Sequence, residues 1–174
     1  DCGEDAWARA GTTPEFVNVG TGGKASEILR GRAKLLWDDA CLYVGIDVND
    51  TNLVGGFPTG AVDPHLWERD TVEVMIDPDG DGDGRDYYEI QVSPQNLVFD
   101  SQFDDYNLPR GGPQGPFGHE DWASKLVSAI HLSGSMDDDG DVDDERGHRG
   151  RRHGRHMYAV MPQRVRRWRH RPTL

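Results

Sequence analysis

No apolar run in this chain approaches the roughly 18 residues that a membrane-spanning helix requires. Cysteine is scarce: Cys2 and Cys41 are the only two. That count excludes a disulfide-dense scaffold and leaves open either one bridge or two unrelated thiols. The signatures of common catalysts are missing as well, since there is no G-x-S-x-G, no H-E-x-x-H and no C-x-x-C, and His65, His119 and His131 are scattered. Carboxylates are so numerous that picking out a glycosidase-like pair would carry no weight. Positive charge is rare until the end of the chain. Residues 145–174 contain ten Arg, no Lys and one acidic residue, Glu145, a net of +9, while residues 1–144 hold 9 basic and 30 acidic residues, a net of -21. An acidic surface of that kind repels nucleic acid and anionic lipid. It suits calcium-containing surroundings outside the cytosol, so an extracellular or periplasmic location is expected. The sequence opens at Asp1 with no Met, charged n-region or apolar h-region, and no signal peptide is expected within it.

What is present fits one domain with a real core: 174 residues, 22 of them glycine, with a mean hydropathy of -0.74 that describes a loop-rich protein. Residues 16–19, FVNV, are expected as an edge strand. In 28–37 the residues Leu29, Gly31, Ala33, Leu35 and Trp37 share a face; after the turn Asp38-Asp39-Ala40, Leu42, Val44, Ile46 and Val48 alternate cleanly with Tyr43, Gly45 and Asp47. This predicts a hairpin. Val72, Val74 and Ile76 point inward from 71–76, and Tyr88, Ile90 and Val92 share one face of 87–92, with Tyr87, Glu89 and Gln91 on the other. Strands are also expected at 96–100 and 125–132. Short alternating strands without a long amphipathic helix indicate an all-β, antiparallel β-sandwich.

The expected division is a β-sandwich domain over residues 1–144 and a basic Arg/His-rich tail over 145–174. MYAVM is the only plausible strand in the tail. Three readings of the tail are open: a genuine basic extension, a disordered linker, or a shifted reading frame in a GC-rich gene, the one favoured by the abrupt loss of strand pattern. If strands are missing there, one sheet would have an unpaired edge.

Two constellations carry chemistry. Between the strands at 71–76 and 87–92, Asp77, Asp79, Asp81 and Asp83 alternate with Pro or Gly. Ca²⁺ requires six to eight oxygen ligands, and such a loop can wrap one. Counted from Asp79 the loop begins as D-x-D-x-D-G, but Ile90 stands where an EF-hand needs its bidentate Glu, and Glu89 falls one residue early. The plain alternative is a solvated hairpin tip. Asp137, Asp139, Asp141 and Asp143 repeat the alternation more weakly. The second constellation is Trp67, Glu73, Gln91 and Ser93: an aromatic beside polar strand faces suits a sugar, whose C–H faces stack and whose hydroxyls need fixed partners. The alternative is that Trp67 caps the core and the polar groups face water.

The runs LLWDDACLYVGIDVND and LWERDTVEVMIDPDGDGDGRDYYEIQVSPQNLVFDSQF, with the opening DAWARA, resemble the family 9 carbohydrate-binding modules and their DOMON-like relatives. The resemblance covers residues 1–145 and rests most on the L-Y-V hairpin and the D-x-V-E-V-x-I-D strand. It implies a distorted jelly-roll or immunoglobulin-like sandwich with structural calcium, and a non-catalytic domain that grips polysaccharide or oligosaccharide, including glucan and xylan chain ends, between two tryptophans. It also implies attachment to secreted polysaccharide-degrading enzymes. By motif position Trp67 is similar to the first of those tryptophans and Glu73 to the hydroxyl-binding Glu. Gln91 and Ser93 stand where the family has an Arg-x-Asn pair. The second tryptophan is expected in the tail, where Trp168 is the one candidate, with Trp122 as the alternative. The rival reading is a calcium-stabilised structural or adhesion module on a cell surface, which a buried Trp67 would favour. A third reading makes the chain a fragment of a glycoside hydrolase with its catalytic domain elsewhere.

Overall fold

The hairpin expected from the L-Y-V stretch forms around one carboxylate. Asp38 Oδ1 accepts hydrogen bonds from the Ala40 and Cys41 amides, both at 2.7 Å, and Asp38 Oδ2 accepts one from the Tyr43 hydroxyl at 2.9 Å. These bonds hold the Asp38 carboxyl below its ordinary range. The computed structural model describes residues 4–25, 29–50, 52–110, 112–133, 135–137 and the backbone of 154–162. It begins with α1 (Glu4–Arg9) and a two-residue β1 (Gly11–Thr12), followed by β2 (Arg30–Trp37) and β3 (Cys41–Asn49). A single turn of 3₁₀ helix at Leu66–Glu68 leads into β4 (Val72–Ile76), β5 (Arg85–Val92), β6 (Val98–Asp105), β7 (Val127–His131) and β8 (Gly154–Pro162).

The strands form two antiparallel sheets, one ordered β1-β2-β3-β8-β7 and the other β4-β5-β6. The alternation read from the sequence sets which faces meet. Ala33, Val44 and Ile46 of the first sheet pack with Ile90 of the second, surrounded by Leu42, Val48, Val72, Val74, Ile76 and Leu126. Burying a Val or Ile side chain contributes about 1.5–3 kcal/mol, so this seam holds the sandwich together. The registers fit this: Ala33 lies opposite Ile46, and Val72 and Val74 lie opposite Val92 and Ile90, while Leu35, opposite Val44, stays exposed.

Some expectations change. Residues 16–19 do not form a strand; Val17 makes an isolated bridge to Lys24, because Asn18 Oδ1 instead accepts the Gly20 and Thr21 amides and turns the chain. The condition set for an unpaired sheet edge, strands missing from the tail, is not met beside β3 and β7. Gly154–Pro162, which contains MYAVM, pairs with β3 on one side and β7 on the other, from Cys41↔Pro162 to Asn49↔Gly154. Ladder bonds use the backbone alone, so a segment with little apolar patterning can still complete a sheet. Cys41 is half-buried at the start of β3 and has no disulfide partner among the described residues. Cys2, the acidic residues Asp139, Asp141 and Asp143, and Trp168 lie outside the described residues.

Candidate functional site

The three-stranded sheet turns one face to the core and the other to a cleft of about 340 Å³. Period-two alternation puts Glu73 and Met75 of β4, Tyr87, Glu89 and Gln91 of β5, and Phe99 and Phe103 of β6 on the cleft side. Glu73 is registered against Gln91, Met75 against Glu89, and Gln91 against Phe99. The cleft lies at the small end of the range for ligand sites, roughly 300–1,000 Å³.

Three polar side chains make the floor. Gln91 is 1% exposed. Its Nε2 donates to Glu89 Oε1 at 2.7 Å and, in a longer contact, to Glu73 Oε2 at 3.4 Å. The two carboxylates fix the amide's orientation, because a reversed amide would turn its carbonyl towards them. Gln91 Oε1 is then buried with no hydrogen-bond partner among the described residues, an arrangement that costs free energy unless something donates to it. Burial, and next the Glu89 charge, push the Glu73 carboxyl above its ordinary range, against the Gln91 hydrogen bond. Glu73 as a residue is solvent-exposed, so water screens part of this effect. Burial raises Glu89 too, opposed by Gln91 and by the Arg110 charge. Tyr87 is pushed up to about 12, chiefly by burial and then by Glu89.

Aromatic rings frame this floor. Leu66, fully buried, anchors the 3₁₀ turn and sets Trp67, which remains 40% exposed. The Trp67 ring stacks on His65 at 4.4 Å, meets Phe99 edge-on at 5.0 Å and tilts against Phe117 at 5.1 Å. Tyr87 and Phe103 stack at 4.9 Å, and Tyr106 stands exposed nearby. The wall carrying Phe117 is tied down from β6: Ser101 Oγ donates to the Phe117 carbonyl at 2.8 Å, and Gln114 Oε1 accepts the Asp104 amide at 2.8 Å. Gly118 (φ 81°) is needed here, since a Cβ would lie 2.7 Å from the Gln102 carbonyl oxygen.

Of the residues expected to bind sugar, Trp67, Glu73 and Gln91 converge on the cleft; the other two do not. Ser93 is fully buried in the β5–β6 turn, where its Oγ accepts the Leu97 amide at 3.2 Å, so its role is to close that turn. Trp122 lies on the opposite side of the sheet, packed against the core and tilted on Tyr88 at 4.5 Å, because Tyr88 points to the core face of β5. Glu89 and the aromatics Phe117 and Tyr106 were not expected as site residues. The signal for Glu89 was its shared strand face with Gln91. Phe117 and Tyr106 sit in loops without periodicity.

The acidic tip is built differently. Asp77 accepts the Gly80 and Gly82 amides at 3.0 and 2.9 Å, while Asp81 and Asp83 accept the Asp83 and Arg85 amides. Positive φ at Gly80, Gly82 and Gly84 makes this winding possible. Asp77, Asp79 and Asp81 each bring a carboxylate oxygen within 4.8 Å of the others, all exposed. Asp83 falls outside that group; it leans towards Arg85, 3.9 Å away. Three clustered carboxylates fit a hard, oxygen-seeking cation.

The family model described as carbohydrate family 9 binding domain-like matches residues 2–108. The chain belongs to that family. The acidic tip and the strand residues of the cleft in this family 9 domain lie within the matched residues, while Arg110 and the wall at 114–117 lie beyond them. A region of 99 residues is 34% identical to an exoglucanase named XynX from Acetivibrio thermocellus, covering 57% of this chain and 8% of that protein. The chain therefore spans less than a tenth of that relative's length. A carbohydrate binding module family 9 structure from Caldicellulosiruptor kristjanssonii, in complex with cellotriose, aligns with a TM-score of 0.46 and 18% identity, over 91% of this chain and 59% of that one.

Proposed function

We propose that this domain is a non-catalytic binding module that holds the end of a polysaccharide or a short oligosaccharide of glucan or xylan type in the cleft of the β4-β5-β6 sheet. The convergence of Trp67, Glu73 and Gln91 on one cleft carries the reading. A sugar's C–H face would lie against the aromatic surface, and its hydroxyls would bond to Glu73, Glu89 and Gln91. In this reading the domain serves a secreted or periplasmic polysaccharide-degrading enzyme, targeting it to substrate while the chemistry happens in another domain. The likeness to part of an exoglucanase supports that association. Asp77, Asp79 and Asp81 would hold a structural Ca²⁺ that clamps the hairpin tip.

Affinity electrophoresis in gels containing xylan or soluble glucan tests this, with and without EDTA. The native domain is expected to be retarded in at least one gel and Trp67→Ala to run as in the sugar-free gel. Unchanged mobility of the native domain on every polysaccharide would overturn the reading.

A further inference from the structure

The floor of the cleft offers acceptors and almost no donors. Glu73 and Glu89 flank the same amide, and that amide's two N–H groups are already directed at them. What remains for a ligand is carboxylate oxygen on either side of the buried amide. Among the described residues lining the cleft, Arg110 is the one cation. Two carboxylates against one guanidinium leave a net negative site. Aromatic faces surround it: Trp67, Tyr87, Phe103 and Phe117, and such faces attract cations as well as C–H groups.

We propose that the cleft selects among sugars by charge, preferring a residue with a free, protonated amine of the glucosamine type over a neutral residue, and a neutral residue over a uronic acid. This rests on the carbohydrate-binding reading above and names the ligand class of the same site. An ammonium carries three N–H donors and no acceptor, which suits the carboxylate oxygens of Glu73 and Glu89. Its charge offsets the repulsion between the two carboxylates. A neutral hydroxyl supplies one donor and leaves that repulsion in place. A uronate would bring a third carboxylate against two. N-acetylation removes the amine's charge and two of its three donors.

The groups that face such an amine are Glu73 from β4, Tyr87 and Glu89 from β5, and Tyr106 and Arg110 from the segment after β6. Burial holds the two Glu carboxyls above their ordinary range, so protonating them on acidification should weaken the preference. Deprotonating the amine at high pH should remove it.

Calorimetric titration of the full chain at pH 6.5 and low salt tests the order. The probes are a β-1,4-linked glucose disaccharide, a glucosamine disaccharide, its N-acetylated form, and a disaccharide ending in glucuronic acid. The glucosamine disaccharide is expected to bind at least about tenfold more tightly than the glucose one, the difference that 1.4 kcal/mol makes. The N-acetylated form should fall to the neutral level and the uronate below it. At pH 9 the glucosamine advantage should disappear. Glu89→Gln should lower the ratio of glucosamine to glucose affinity and Arg110→Gln should raise it. Glucose binding with equal or weaker glucosamine binding at pH 6.5 would overturn this inference and leave the carbohydrate-binding reading standing. Absence of heat with all four probes would overturn both. The pH and N-acetyl comparisons use the native chain, so they decide even if a variant fails to fold.

Discussion

The hairpin β4–β5 carries two acidic regions, one at its tip and one on its outer face. At the tip, Asp77, Asp81 and Asp83 all accept amides of their own loop, and Asp77 takes two. These bonds pull the Asp77 carboxyl below its ordinary range, the Gly82 amide most strongly. On the outer face, Glu73 and Glu89 share one side-chain amide and are pushed the other way by burial. Carboxylate density is higher at the tip, yet the tip largely satisfies itself. The face leaves a buried acceptor without a partner among the described residues. The difference teaches that a binding site is marked by polar groups the fold does not satisfy, not by their number.

Breaking the face should have the largest effect. Gln91→Leu removes the amide between the two carboxylates, and hydrogen bonds to charged groups are worth about 1.5–3 kcal/mol. Sugar affinity measured by calorimetry should fall by roughly ten- to a hundredfold. Glu89→Gln should have a smaller effect on stability, and a favourable one. A carboxyl with a raised folded-state pKa opposes folding when ionised, and that cost is relieved as pH falls through the folded value towards the unfolded one. Thermal melts should therefore show the variant more stable than the native chain at pH 7, with the gap closing on acidification. The smallest effect belongs to Asp77→Ala at the tip. Its lowered carboxyl contributes stability above the unfolded pKa and loses it as pH falls through the folded value. The variant should melt slightly earlier at pH 7 and lose any stabilisation by added Ca²⁺. Its sugar affinity should match that of the native chain, which calorimetry would check.

The sandwich was legible because its strands alternate so cleanly. Leu42, Val44, Ile46 and Val48 declare one face, as do Tyr88, Ile90 and Val92, and both faces meet in the core. Half of the cleft was legible by the same rule, since Glu73 and Gln91 occupy the polar positions of paired strands. Trp122 and Ser93 stand away from the cleft, and neither lies in a regular strand whose alternation would assign its direction. Trp122 follows a loop that the His119 amide ties to the Gln102 carbonyl at 2.7 Å, and that closure turns it to the core. Phe117 and Tyr106 reach the cleft through long-range contacts such as Ser101 to Phe117, which no local pattern records. The β8 strand was legible only as MYAVM; its place between β3 and β7 depends on backbone pairing far along the chain.

The central claim is that ligand is held on the outer face of β4–β6 and not at the acidic tip. Backbone amide chemical shifts followed during titration with a neutral β-1,4-glucan trisaccharide test it most directly. The largest saturable changes are expected at Glu73, Glu89 and Gln91 and at the Trp67 indole, with Gly80 and Gly82 unmoved. Saturable changes confined to Gly80, Gly82 and their neighbours, with the strand residues unmoved, would contradict it.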